Sequence, residues 1–207
     1  MSVAARVQAA LYDPLLGRLE RAGLAERRRR LLAAARGDVL EIGAGTGLNV
    51  PHYPEAVEAL VLVEPEEPMA RRAQRRLAGS GRRGRVLQAS AESLPFADGS
   101  FDTAVCTLVL CSVADPSAAL AELRRVLRPA GRLLFLEHVR ADDPKLARWQ
   151  DRLRRPWRRL AAGCNCNRRT VAAIEDAGFS LEELERGELP KAPPILRPLA
   201  VGRAVLR

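Results

Sequence analysis

A short apolar run that ends in a cluster of glycines constrains this chain more than any other feature. Residues 38–42 read DVLEI and pass directly into Gly43-Ala44-Gly45-Thr46-Gly47. Glycine has no Cβ, tolerates positive φ, and lets a backbone come close to whatever lies against it. A strand that ends in such a loop is how an open α/β sheet begins a strand–turn–helix unit.

The rest of the chain repeats the pattern. Apolar strands are expected at 59–63 (ALVLV), 85–89, 101–110 and 132–136, with two late strands near 180–184 and 201–206. Nearly continuous apolar runs of this kind suit strands buried on both faces of a parallel sheet. Between them, 66–78, 116–127, 142–162 and 170–177 have helical spacing. Residues 3–36 also read as helix, with Asp13-Pro14 as a cap, a break at Gly23 and a stop at Gly37. These expectations add up to one α/β domain over 1–207. In such sheets ligands bind beyond the carboxyl ends of the strands, where strand order reverses. The residues that follow each strand are therefore the candidates for a site.

The loop after the first strand is G-x-G-x-G, not the dinucleotide G-x-G-x-x-G, and no Lys-Ser/Thr follows it as in a phosphate-binding Walker loop. Glu64 closes the second strand, 21 residues after Gly43. A carboxylate at that place can accept two hydrogen bonds from vicinal ribose hydroxyls. After the third strand comes Gln88-Ala89-Ser90-Ala91-Glu92-Ser93-Leu94-Pro95-Phe96, whose backbone and short polar side chains suit an adenine edge.

VLEIGAGTG, LVEPE, ASAESLPFADGSFDTAV and RVLRPAGRLLFLEHV resemble, in order and spacing, the motifs of class I S-adenosylmethionine-dependent methyltransferases, over residues 38 to 140. The resemblance implies a Rossmann-like open sheet of seven strands, mostly parallel with an antiparallel last strand, and helices on both faces. It implies S-adenosylmethionine as cofactor. Glu41 and glycines 43, 45 and 47 would shape or contact the methionine and ribose part, and Glu64 would hold the ribose hydroxyls. Ser90 and Ala91 would address the adenine, and Thr107 would lie near the methionine end. Many relatives carry Asp at the place of Ser90. The ligand has no phosphate, so the loop needs no lysine, and its cationic sulfonium is compatible with nearby carboxylates.

VCTLVLCSV (105–113), LEHV (136–139) and AGCNCNRRT (162–170) look more narrowly like the alkyl-thiol methyltransferases of the animal methyltransferase-like group. That resemblance implies methyl transfer to a small-molecule thiol by direct displacement. A C- or O-methyltransferase of the ubiquinone/menaquinone type is the alternative. The hydrophobic anchor of those relatives is not seen at the N-terminus, so a soluble cytoplasmic protein, monomer or dimer, is expected. In this fold 1–37 would form a helical lid and 141–167 a helical insertion over the acceptor site.

His138, just past the fifth strand, is the candidate proton acceptor, because an ordinary imidazole titrates near neutrality. His52 is a weaker candidate. Tyr12, Cys111 and Trp149 are candidates for the substrate pocket, with Trp157 beside Trp149 in a stretch rich in arginine. That stretch also permits contact with a membrane surface.

Charge opens another class of reading. The net charge is +9, and all but Lys145 and Lys191 of the basic residues are arginine. A nucleic-acid or lipid-surface binder that keeps the fold would use such a charge. The arginines are spread along the chain and aromatics are only 4% of it, so stacking platforms for bases are scarce and no nucleic-acid partner is expected. Cysteines 106, 111, 164 and 166 lack paired zinc-ligand spacing, so reduced thiols and no metal are expected.

Overall fold

The computed structural model describes residues 12–206 other than 15 and 162. Seven strands form one sheet: β1 (Gly37–Ile42), β2 (Val57–Val63), β3 (Gly84–Leu87), β4 (Phe101–Thr107), β5 (Leu127–His138), β6 (Phe179–Glu188) and β7 (Pro198–Leu206). Their order across the sheet is β3-β2-β1-β4-β5-β7-β6. The β1–β2, β1–β4, β2–β3 and β4–β5 pairs are parallel, and β7 runs antiparallel to both β5 and β6. This is the Rossmann-like sheet the motifs imply. Strand order reverses at β1, which pairs with β2 on one side and β4 on the other, so the glycine loop opens at the switch point.

Both faces are covered. Val39, Leu60, Leu62, Val105 and Leu134 pack with Leu31 and Leu32 of α1 (Ala25–Leu32) and with Ala73 and Leu77 of α2 (Glu67–Ala78). Leu40, Ile42, Ala104, Leu133 and Phe135 pack with Leu120 and Leu123 of α3 (Pro116–Val126) and with Val171 and Ile174 of α5 (Thr170–Asp176). Alternation along each strand sends neighbours to opposite faces, and both neighbours are apolar because neither face meets water. The basic stretch is α4 (Pro144–Leu160), started by Asp143, whose carboxylate accepts the Leu146 N–H at 2.7 Å. No described helix is long and apolar enough to cross a membrane.

Several boundaries differ from the sequence expectation. Strand β4 stops at Thr107 rather than Leu110, because Leu108 takes a positive φ of 61° and turns the chain out of the sheet. Strand β5 begins at Leu127, which pairs with Phe101. The Arg-Pro-Ala-Gly segment before the expected strand at 132–136 is an irregularity inside β5, with Ala130 at φ 59°. Strands β6 and β7 pair with each other and so run further than their apolar residues mark. In the N-terminal stretch Gly23, at φ 121°, breaks the helix through a π-turn at Glu20–Leu24. The Asp13 carboxylate accepts from Thr46 Oγ1 at 2.5 Å and pairs with Arg76 at 2.9 Å. Residues 1–11 of the expected 1–37 lid lie outside the described residues.

Candidate active site

A cavity of about 410 Å³ opens at the carboxyl ends of β1, β2 and β4. Tyr12, Gly43, Gly45, Glu64, Ser90 and Ala91, all of the expected set, line it from four separate stretches of the chain. The glycine loop earns its sequence there. Gly43 and Gly45 both have φ 56°, and a Cβ on Gly43 would stand 2.6 Å from the Val109 methyls. An L side chain would therefore be strained and would collide with the opposite wall. Gly47 does not line the cavity; it lets the loop approach α2, where its Cβ would meet Ala73 Cα at 3.2 Å.

Glu64 is 6% exposed. Its two carboxylate oxygens accept the Gly45 N–H at 2.8 Å and the Glu66 N–H at 3.0 Å. Burial raises its pKa, against those two hydrogen bonds. Each oxygen keeps a second lone pair for a diol. Tyr12 lies over the loop, its ring carbon 3.7 Å from where a Gly45 Cβ would be. The Asp13–Thr46–Arg76 contacts hold the neighbouring residue to the loop and so hold Tyr12 there. Burial pushes the Tyr12 phenol up to about 12, so it is neutral at physiological pH.

Glu92 was not among the expected residues, yet it lines the same cavity. Its carboxylate accepts from the Ser90 hydroxyl and from the Ala114 N–H at 2.9 Å. Burial raises its pKa, and the hydrogen bonds from Ser90 and the backbone outweigh this and hold it below the usual range. The chain thus places a carboxylate beside Ser90, where many relatives carry Asp. With Glu64 and Glu66, three carboxylates and no Lys or Arg line the cavity among the described residues, in a chain of net charge +9. That lining fits a phosphate-free nucleoside with a cationic sulfonium.

Glu41 and Thr107 stand behind the loop rather than in the cavity. Glu41 is 1% exposed and accepts from Asn49 Nδ2 at 3.0 Å and Tyr53 Oη at 2.7 Å. Thr107 Oγ1 accepts from Arg28 at 2.9 Å and from Asn49 Nδ2 at 3.0 Å. Arg28 also donates to Asn49 Oδ1 at 2.8 Å and to Glu20 at 3.1 Å. Burial pushes the Glu41 carboxyl up to about 7, despite the Tyr53 hydrogen bond and the Arg28 charge. Arg28, Asn49 and Tyr53 have no local sequence signature; only the fold brings them to Glu41.

The opposite wall is held by Glu137. Its carboxylate accepts the Val109 and Leu110 N–H groups, each at 2.9 Å, and the Cys111 N–H at 3.2 Å. Val109 and Ser112 of this turn line the cavity. A carboxylate at the end of an otherwise apolar strand was the available signal. Burial pushes its pKa up to about 7 against those three hydrogen bonds.

The remaining candidates are elsewhere. His138 does not line the cavity; it is 7% exposed, its Nδ1 makes no hydrogen bond among the described residues, and burial pushes its pKa down to about 4 against the backbone of Leu196 and Pro198. Cys111 is 1% exposed, and its thiol lies against Cys164 and Ser112. The Cys164 contact and then burial hold that thiol well above its ordinary pKa. Trp149 is 54% exposed and stacks under Arg152 rather than facing the cavity. Trp157 packs against the core on the α1 side. His52 is likewise outside the cavity. All four cysteines are buried free thiols.

Comparison with known proteins agrees with this geometry. The methyltransferase domain family matches residues 40–135. Human thiol S-methyltransferase TMT1B is 38% identical over 181 residues, which cover 84% of this chain and 72% of its own. The ubiquinone/menaquinone biosynthesis C-methyltransferase UbiE of Marinomonas sp. (strain MWYL1) is 36% identical over 118 residues, 55% of this chain and 47% of its own. Among solved structures, a Thermotoga maritima S-adenosylmethionine-dependent methyltransferase, described as a possible histamine N-methyltransferase, superposes with a TM-score of 0.72. It is 25% identical and covers 98% of each chain.

Proposed function

The chain belongs to the S-adenosylmethionine-dependent methyltransferases, and from that premise we propose that it methylates the sulfur of a small thiol. The observation that carries the acceptor is the likeness to thiol S-methyltransferases across most of both chains. The cavity supports the cofactor assignment independently, through its lining carboxylates and its close glycine backbone.

When bound, S-adenosylmethionine supplies a methyl group on a cationic sulfur. The chain's own residues do the rest. Glu64 holds the ribose hydroxyls, and the Gly43–Gly45 backbone lets the methionine part lie close to the loop. Ser90, Ala91 and Glu92 border the adenine. Tyr12 covers the loop, and the wall set by Glu137 carries Val109 and Ser112 toward the acceptor side. Holding the nucleophile in line with the methyl carbon supplies most of the acceleration in a displacement of this kind.

The proton is the acceptor's own problem. Among the described lining residues there is no histidine or lysine, and Tyr12 stays protonated. A free thiol is a few per cent ionised at neutral pH, enough for reaction. Turnover of a thiol should therefore rise about tenfold per pH unit until the pH passes that thiol's own pKa.

The test is an assay of S-adenosylhomocysteine release with a panel of small alkyl thiols against phenols and quinols. Thiol turnover that follows thiol ionisation supports the proposal. Turnover confined to quinols or phenols overturns it in favour of a C- or O-methyltransferase. Glu64→Ala should weaken S-adenosylmethionine binding by about tenfold or more in calorimetric titration, since hydrogen bonds to a charged group are worth ~1.5–3 kcal/mol. Undiminished binding would remove Glu64 from the site.

A further inference from the structure

A second cavity, of about 580 Å³, lies on the other side of the 110–113 segment and shares no lining residue with the first. It is walled by the chain leaving β5, the start of α4, residues 168–172 and Arg186 of β6. Its character is the reverse of the first cavity: five arginines line it, against Asp142 and Glu175.

The arginines are not equivalent. Arg140 is neutralised by a two-pronged pair with Asp151, at 2.6 and 2.8 Å. Arg186 stands 3.6 Å from Asp142. Among the described residues the side chains of Arg148 and Arg169 make neither a hydrogen bond nor an ion pair. Arg168 donates to the carbonyls of Leu110 and Val113, the latter at 2.8 Å, and makes no ion pair among the described residues, with Glu137 and Asp115 acting on its charge only through space. Three arginines without an ion pair thus line the cavity together with Glu175. A second, separate observation comes from Thr170. It lines this cavity, is 3% exposed, and its hydroxyl has no hydrogen-bond partner among the described residues.

We propose that this cavity binds a doubly charged anion, a phosphate monoester or inorganic phosphate, between Arg148, Arg168 and Arg169, with the Thr170 hydroxyl donating to it. Three arginines free of ion pairs beside one carboxylate suit a dianion. Planar guanidinium forks match phosphate oxygens two at a time. Volume beyond the phosphate leaves room for the organic part of an ester. The site is independent of the methyl acceptor, and Arg168 joins it to the segment that walls the cofactor cavity.

The probe is inorganic phosphate, with glycerol 3-phosphate alongside, titrated calorimetrically into the whole chain at ionic strength held constant with chloride. Saturable binding is expected. It should weaken about tenfold or more in Arg148→Ala/Arg169→Ala, given the strength of charge-assisted hydrogen bonds, and severalfold in Thr170→Val. S-adenosylmethionine affinity should be unchanged in both variants, which also shows that they are folded. No phosphate binding, or binding that the double substitution leaves intact, overturns the site. Flotation with phosphatidic acid vesicles, set against phosphatidylcholine vesicles, separates the two sources of the group. Capture lost in the double variant assigns a lipid headgroup, and phosphate binding without capture assigns a soluble ester.

Discussion

Two buried carboxylates make the response to pH a residue-scale question. Glu41 and Glu137 are both pushed up to about 7 by burial, above the 4.5 of an unburied glutamate. Between those values the folded state holds more protons than the unfolded one. Stability from these groups is therefore full at low pH and is lost as pH rises from 4.5 toward 7. His138 acts the other way. Its pKa is depressed from 6.5 to about 4, so its contribution is lost as pH falls through that range. The net slope mixes these three with the raised carboxyl of Glu64 and the lowered imidazole of His52, and single substitutions separate them. Glu41→Gln keeps the shape and removes one titration. Its melting temperature should fall less than the native protein's between pH 4.5 and 7. An unchanged slope would show that Glu41 is ionised throughout. His138→Gln should leave thiol turnover within severalfold at neutral pH, because the imidazole lies outside the cavity. A general base would cost about a hundredfold or more in kcat/KM when removed, and such a loss would restore His138 to the chemistry.

At the scale of elements, the glycine loop and the turn after β4 are facing walls of one cavity. Gly43 can approach Val109 only because it lacks a side chain. Gly43→Ala should destabilise the fold by ~1–2 kcal/mol for the left-handed backbone alone, plus the cost of the collision at 2.6 Å. Adding Val109→Ala removes the collision but not the backbone strain, so the double variant should recover part of the loss. Thermal melts of the set give the coupling, and strictly additive losses would mean that the two segments do not meet. The loop was legible as a sequence because its constraint is local: three glycines with positive φ in five residues. The turn after β4 was not. An apolar run through Leu110 looks like strand, and only Glu137, reaching across from β5 to three backbone N–H groups, shows that the chain has already left the sheet.

At the scale of the whole molecule, the last strand closes the fold. Strand β7 is the C-terminal element, yet it lies between β5 and β6 and pairs with both. Gly202 allows this crowded position, where a Cβ would meet Glu183 O at 2.5 Å and the Phe135 ring at 2.6 Å. A chain ended after Arg197 would lose the neighbours of two strands and expose their backbone. It should show no cooperative melt by circular dichroism, and a cooperative one would mean that β1–β5 stand alone. The same scale separates charge. The excess of arginine is carried on α4 and around the second cavity, while the first is lined by carboxylates.

By itself the sequence determined the strand–helix alternation, the glycine loop, Glu64 as the carboxylate after β2, and the family to which these belong. Each is written in residues that are neighbours along the chain, where periodicity, φ preference and spacing act directly. Tertiary structure alone decided which polar residues meet. Arg28, Asn49, Thr107, Tyr53 and Glu41 come from four separate stretches and share one buried network. His138 and Trp149 looked alike as candidates beside the site, yet one is enclosed in the sheet and the other faces solvent. The direction a side chain takes at the end of a strand depends on what packs against it, and that partner is chosen by the whole sheet rather than by the residues on either side.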